Sequence, residues 1–397
     1  MRDTPWLSII GLGEDGPDGL SVASRNALEA AEIIIGPARH LGLLGTVSAE
    51  LIEWPVPFAD GVGLLLSHRG KDVAVLASGD PFWFGAGSVI TRQLTDDEWQ
   101  AFPVPSTFSL AASRLGWPIE QTLCIGLHAA PFTRLRPHMA DGARAVVLLK
   151  DGAAVAELAA YLSDNGFGAS DLAILESLGG PRERIRTISA SDEAPECSHP
   201  VCVGISMQGG PELTKAAGRS DDWFDNDGQI TKRPARALTL SALAPKRGEH
   251  LLDIGGGSGS ISIEWLLADP TTQATIVEAN ADRATRIKAN ARRLGVDRLN
   301  IVTGRAPEVL ENVPTPNAIF IGGGLSEVLL QDLSTRMPKG TRIVANAVTL
   351  ENEALLIQWQ AKIGGDLLRI ELSNLGNIGP KRGWKAAYPL VQWSVTL

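Results

Sequence analysis

Cysteine, methionine and tyrosine are scarce: three, four and two in 397 residues. Cys124, Cys197 and Cys202 are too few and too odd in number to frame disulfides, which points to a reducing compartment. No uninterrupted apolar run approaches the roughly 20 residues of a membrane span. The opening MRDTPWLSII carries neither the apolar core nor the cleavage site of a signal peptide. The expectation is a soluble, cytoplasmic chain with no membrane partner. Basic stripes interleaved with aromatics are also missing, so no nucleic-acid partner is expected. Cys197, His199 and Cys202 lie close together, but three ligands, one of them inside an apolar strand pattern, match no standard zinc spacing. No metal is expected.

Apolar content is ample. At 44% hydrophobic, the length allows two or three domains with large cores. Charge is uneven: residues 1–210 carry 14 Lys and Arg against 25 Asp and Glu, and residues 211–397 carry 22 against 20. Two modules of different origin are indicated.

The second module centres on Leu251 to Leu267, LLDIGGGSGSISIEWLL, which reads as strand, glycine turn and helix. Glycines let the backbone approach a ligand, and the helix start behind them presents unpaired N–H groups. Ser260 occupies the third glycine position of a dinucleotide fingerprint, which argues against NAD. Asp253 precedes the turn, and Glu278 ends the next strand pattern, ATIVEAN, where a carboxylate accepts from both ribose hydroxyls. This combination resembles class I S-adenosylmethionine methyltransferases. The resemblance implies that Asp253, Gly255, Gly256, Gly257, Ser258, Gly259 and Glu278 bind S-adenosylmethionine. It also implies seven strands, the last two forming a hairpin, and a backbone contact to the adenine at Ala306. Upstream, ITKRPARALTLSAL predicts a helix from about Arg233, its buried face carrying Ala237, Leu238, Leu240 and Leu243.

In the first half, strand and helix patterns alternate in two lobes, about 1–118 and 119–208, with a ligand cleft expected between them. GLGEDG, ASGDP, the PST helix start and LESLGGPRERI occur in order. Together they resemble the tetrapyrrole methylase family, and within it the precorrin-6Y methylase branch of cobalamin biosynthesis. The first loop, Gly-Glu-Asp-Gly, departs from the wider family's Gly-Pro-Gly-Asp, which leaves the roles of Glu14 and Asp15 open. By this resemblance Gly79, Asp80, Gly85, Ser106 and Thr107 line a second S-adenosylmethionine site. The second module resembles the methyltransferase partner of the same branch, in which the Ile-Thr-Lys stretch folds over the methyl donor and Thr231 contacts it. The usual arginine after the tail serine is replaced by Asn374, so no substrate role is carried to that position.

The expected fold class is therefore α/β: a two-lobed tetrapyrrole-methylase-like domain (1–208), a linker (209–228), and a class I, Rossmann-like, seven-stranded methyltransferase domain (229–397). The resemblance implies two S-adenosylmethionine sites, a precorrin substrate methylated at carbons 5 and 15 with loss of the carbon 12 acetate, and a homo-oligomer. Arg233 and Arg236, and Arg182, Arg184 and Arg186 in the first half, are the candidate cations for substrate carboxylates; Lys381, Arg382 and Lys385 lie in a basic tail loop. A methyltransferase on another substrate, or a methyl-donor sensor with only the second site active, stays open at this level.

Overall fold

Leu7–Leu12 is buried at every position, as a strand covered on both faces must be. This strand, β1, joins β2 (Ile33–Gly36), β3 (Glu50–Glu53), β4 (Val73–Ser78) and β5 (Trp99–Phe102) in the order β3-β2-β4-β1-β5, all parallel. A second sheet follows, from β6 (Leu123–Gly126), β7 (Arg144–Leu148), β8 (Asp171–Glu176), β9 (Arg184–Ser189) and β10 (Val201–Ser206). Its order is β6-β7-β10-β8-β9, parallel only between β6 and β7. The edge strands β3, β5 and β9 escape the sequence pattern because they are half exposed and lack a continuous apolar run. The helix Thr107–Leu115 starts where the Ser106 hydroxyl accepts from the Ser109 N–H and stops at Gly116 in the left-handed region.

The computed structural model describes residues 5–397 in two compact units. One takes the chain up to Pro131 and His138–Glu212, the other Phe132–Pro137 and Leu213–Leu397. The short segment Phe132–Pro137 thus belongs to the second unit, where Arg134 forms a bidentate pair with Asp297 at 2.8 and 3.0 Å. The stretch expected as a linker also takes part there. Leu213 and Phe224 join the core around Trp265, although their segment has no apolar period by which the sequence would show it.

In the second unit β11 (His250–Ile254), β12 (Gln273–Glu278), β13 (Asn300–Thr303), β14 (Ala318–Ile321) and β15 (Arg342–Ala347) are parallel. The strand β16 (Asp366–Ile370), a ribbon of β17 (Ser373–Ile378) and β18 (Lys381–Ala386), and β19 (Leu390–Thr396) complete the chain. The sheet order is β13-β12-β11-β14-β15-β19-β16, seven strands, with β19 antiparallel to both neighbours. The two closing strands do pair, and between them the chain makes the β17–β18 ribbon, which the sequence reading did not separate. Order reverses between β11 and β14, the switch point at which ligands of open α/β sheets bind.

Candidate functional site

A cavity of about 750 Å³ opens at that switch point. Gly255, Gly256 and Gly257 form its floor, with Glu278, Thr231 and Ala306 on its walls. Glycine is required at Gly255: φ is +77°, and a Cβ there would stand 2.6 Å from the backbone of Gly323 on the adjacent loop. The turn is held by Glu278. Its Oε2 accepts from the Gly257 N–H at 2.9 Å and its Oε1 from the Asn280 N–H at 2.8 Å. Each carboxylate oxygen keeps a second lone pair, and the side chain lines the cavity.

Asp253, Ser258 and Gly259 do not line it. Asp253 is buried beneath the turn, where Ser262 Oγ donates to Oδ2 at 2.8 Å and Oδ1 has no partner among the described residues. Burial, reinforced by the charge of Glu278, pushes its carboxyl up to about 7. The two acidic positions therefore differ in kind: Glu278 faces the ligand space, and Asp253 supports the loop from behind. Ser258 is likewise buried, its carbonyl accepting from Asn290 at 3.0 Å, and Gly259 packs against Ile287.

Arg236 overturns an expectation. It is fully buried, pairing with Glu264 at 2.7 Å and Asp221 at 3.0 Å, donating to the carbonyls of Thr231 and Arg219, and stacking on Phe224. Every side of the guanidinium is committed inside the fold, so Arg236 is not a substrate cation. The helix Arg233–Leu243 accordingly buries Ala235, Arg236, Thr239, Leu240 and Leu243, while Leu238, expected inside, is exposed. Arg233 is exposed at the helix start and does not line the cavity; Lys232 does. Lys381, Arg382 and Lys385 stand on the exposed strand β18.

The structure adds Asn346, near the end of β15, which lines the cavity. Thr239 Oγ1 donates to the Ala235 carbonyl at 2.8 Å, so it accepts from Asn346 Nδ2 at 2.9 Å and Gln392 Nε2 at 3.0 Å. Gln392 Nε2 also donates to Asn346 Oδ1 at 3.0 Å. This fixes which end of the Asn346 amide is which, and leaves it one N–H and one lone pair to offer. No single-residue signal marks such a network, since its three members lie in three separate elements. Tyr388 and Leu390, beyond the ribbon, complete the wall.

In the first unit a cavity of about 360 Å³ is lined by Asp80, Gly85, Ser106 and Thr107, all expected there. Gly79 is not at the wall. Its φ of +58° and its approach to Ser106, 3.1 Å from a built Cβ to the Ser106 Cα, show that it shapes the loop instead. Asp80 Oδ1 accepts from the Phe82 N–H at 2.8 Å, an Asx turn that leads into Trp83 and Phe84 at the cavity. Arg186 is committed to Glu176 at 2.8 Å and to the Glu196 carbonyl, which removes it from the candidate cations, and Arg184 is exposed on β9. Cys202 is buried in β10, its thiol pushed up to about 12 by burial.

Residues 7–192 match the tetrapyrrole (corrin/porphyrin) methylases and residues 222–397 the precorrin methyltransferase domain. A Sinorhizobium protein named precorrin-6Y C(5,15)-methyltransferase, decarboxylating, is 46% identical over 99% of this chain and 97% of its own length. The chain belongs to the precorrin-6Y C(5,15)-methyltransferase family. A Mycobacterium tuberculosis protein of the same name is 39% identical, over 98% of this chain and 99% of its own. A Salmonella typhimurium protein named cobalt-precorrin-6B C(15)-methyltransferase, decarboxylating, is 31% identical over 41% of this chain and 85% of its own. Membership of the precorrin-6Y C(5,15)-methyltransferase family makes this an S-adenosylmethionine-dependent methyltransferase family chain with a two-domain α/β fold.

Proposed function

We propose that the chain methylates precorrin-6Y at carbons 5 and 15 and releases the carbon 12 acetate as carbon dioxide, using one S-adenosylmethionine in each unit. The first unit acts at carbon 5, and the second at carbon 15 with the decarboxylation. The observation that carries this reading is the presence of two separate cavities on two unrelated sheets, each lined by residues that the methyl-donor resemblance singles out. That the Salmonella typhimurium relative, named for carbon 15 and decarboxylation alone, matches 41% of this chain supports a division by unit.

The second cavity fits the donor by its shape and acceptors. Gly255 and Gly257 leave room for close approach, and Glu278, with lone pairs remaining, would hold the ribose hydroxyls. When bound, S-adenosylmethionine supplies a methyl group already activated by its sulfonium charge. The chain's share is orientation and exclusion of water. Leu372, Tyr388 and Leu390 form an apolar wall, and Asn346 holds an oriented amide against the same space. Lys232, exposed and only loosely paired with Asp221 at 3.7 Å, brings a cation to that space in a protein of net charge −9, and a polycarboxylate substrate needs such local offsets. Asp253, behind the loop, is not placed to take a substrate proton.

Incubation of the whole chain with precorrin-6Y and S-adenosylmethionine, followed by mass spectrometry, tests the proposal. The expected product has gained two methyl groups and lost one carbon dioxide. One methyl gained with no carbon dioxide lost contradicts it.

A further inference from the structure

Glu14, buried in the loop after β1, has a guanidinium on each of its oxygens. Arg39 Nη1 donates to Oε1, and Arg182 Nη2 donates to Oε2 at 3.2 Å. Arg39 Nη2 reaches on to His40 Nε2 at 2.8 Å and Ser78 Oγ at 3.0 Å, and both of those residues line the first cavity. A guanidinium has no acceptor, so His40 Nε2 is the unprotonated nitrogen. Burial and the charge of Arg39 push the imidazole down to about 4, which keeps it neutral. The cluster thus holds two positive charges against one negative. This excess stands in a half of the chain with 25 acidic and 14 basic residues. The Arg182 side chain is 64% exposed, with one N–H spent on Glu14, and the Arg39 side chain is 29% exposed. At the same cavity, Trp83 and Phe84 present partly exposed rings that pack on Phe108 at centroid distances of 5.0 and 5.8 Å.

Flat aromatic faces beside a guanidinium pair that keeps one net positive charge suit a planar ring with carboxylate arms. We infer that Arg39 and Arg182 form a subsite for one peripheral carboxylate of the macrocycle, with Glu14 as the built-in counter-ion that holds the two forks in place when no substrate is bound. The inference rests on the reading of the first unit as a tetrapyrrole-methylating site, and it adds the residues that recognise the substrate's charge.

The test uses the whole chain, precorrin-6Y and S-adenosylmethionine, with carbon 5 methylation followed by mass spectrometry and unfolding temperature measured alongside. Arg182→Gln removes an exposed side chain, and the KM for precorrin-6Y should rise roughly tenfold or more, the scale of a lost charge-assisted hydrogen bond. The kcat and the KM for S-adenosylmethionine should stay within about twofold, a split that marks lost ground-state binding. Arg182→Lys should recover part of the affinity. Glu14→Gln removes the competing carboxylate, so the KM for precorrin-6Y should fall even as the unfolding temperature drops, which a purely structural ion pair does not produce. An unchanged precorrin-6Y KM in Arg182→Gln, or a KM in Glu14→Gln that rises with the loss of stability, overturns the subsite while an active wild type leaves the functional reading standing. A wild-type chain that adds no methyl at carbon 5 overturns both.

Discussion

Arg236 and Glu264 meet at 2.7 Å with neither side chain exposed. Glu264 also accepts from the N–H groups of Gly218 at 2.7 Å and Arg219 at 2.9 Å, so one carboxylate fastens the segment before the helix Arg233–Leu243 to the helix Ser260–Ala268 behind the glycine turn. Removing Arg236 leaves the buried Glu264 carboxylate with Arg219 Nη1, at 3.4 Å, in place of its 2.7 Å partner, and breaking a buried pair typically costs about 3–5 kcal/mol. Arg236→Met should therefore lower the unfolding transition of the second unit and leave that of the first unit in place, by scanning calorimetry of the whole chain. Adding Glu264→Gln should cost less than the sum of the two single losses, since the two residues are energetically coupled.

Glu278 and Gly255 test the proposal of two methyl-donor sites. Glu278→Ala removes a carboxylate from the second cavity and the acceptor that holds Gly257, so affinity there should fall roughly tenfold or more. Gly255→Ala places a methyl 2.6 Å from Gly323 at a φ of +77°, a backbone region that costs an ordinary residue about 1–2 kcal/mol before any clash. Titration calorimetry of either variant should show one S-adenosylmethionine bound as in the wild type and a second bound more weakly. With S-adenosylmethionine limiting, the product from precorrin-6Y should shift toward a single added methyl with its carboxylates kept. Two undisturbed binding events in both variants would rule out this assignment of the second site.

Thr239 orients Asn346 from behind. Thr239→Val keeps the shape but removes the acceptor that fixes the Asn346 and Gln392 amides, and should reduce kcat/KM at carbon 15 by about tenfold. Asn346→Ala should reduce it at least as far. Carbon 5 methylation, which the proposed division gives to the other unit, is the internal control.

Asp253 and His40 should give the two units opposite pH dependence. Asp253 titrates near 7 in the folded chain against an ordinary 3.8, so the folded state holds a proton that the unfolded state releases. Its contribution to stability is full below 3.8, declines as pH rises through about 7, and is flat beyond. His40 is held near 4 against an ordinary 6.5. Its contribution is full above 6.5 and is lost as pH falls through 4. Hydrogen exchange by mass spectrometry, compared between wild type and Asp253→Asn from pH 5 to 8, should show the second unit protected by the substitution most strongly at pH 8. An Asp253→Asn variant whose advantage does not grow with pH would contradict the buried, proton-holding carboxyl.

The helix at Arg233 shows where apolar periodicity stops being a guide. The pattern places Leu238 inside and treats Arg236 as a surface cation, whereas Leu238 is 39% exposed and Arg236 is wholly buried. A guanidinium can be buried only when its partners arrive from elsewhere, and Glu264, Asp221 and the Arg219 carbonyl come from distant positions. Asp253 and Glu278 make the same point for the site. Asp253 stands one residue before the end of its parallel strand and Glu278 at the end of the next, beside one glycine turn, and of the two only Glu278 lines the cavity.

The sequence by itself determined the buried central parallel strands, the glycine turn and the acidic strand end at Glu278, and its short motifs carried the family resemblance that implied the first-cavity residues Asp80, Gly85, Ser106 and Thr107. Each is a local matter, set by continuous apolar runs, by φ values that glycine tolerates, or by short loops that carry their own hydrogen bonds. Only the tertiary structure decided which charges are spent on the fold and which face a ligand. Arg236 and Arg186 are consumed by buried carboxylates, Arg39 and Arg182 crowd one carboxylate beside the first cavity, and Asn346 is aimed by Thr239 and Gln392. Those outcomes depend on partners far away in the chain, and pairing across such distances leaves no periodic trace in the order of residues.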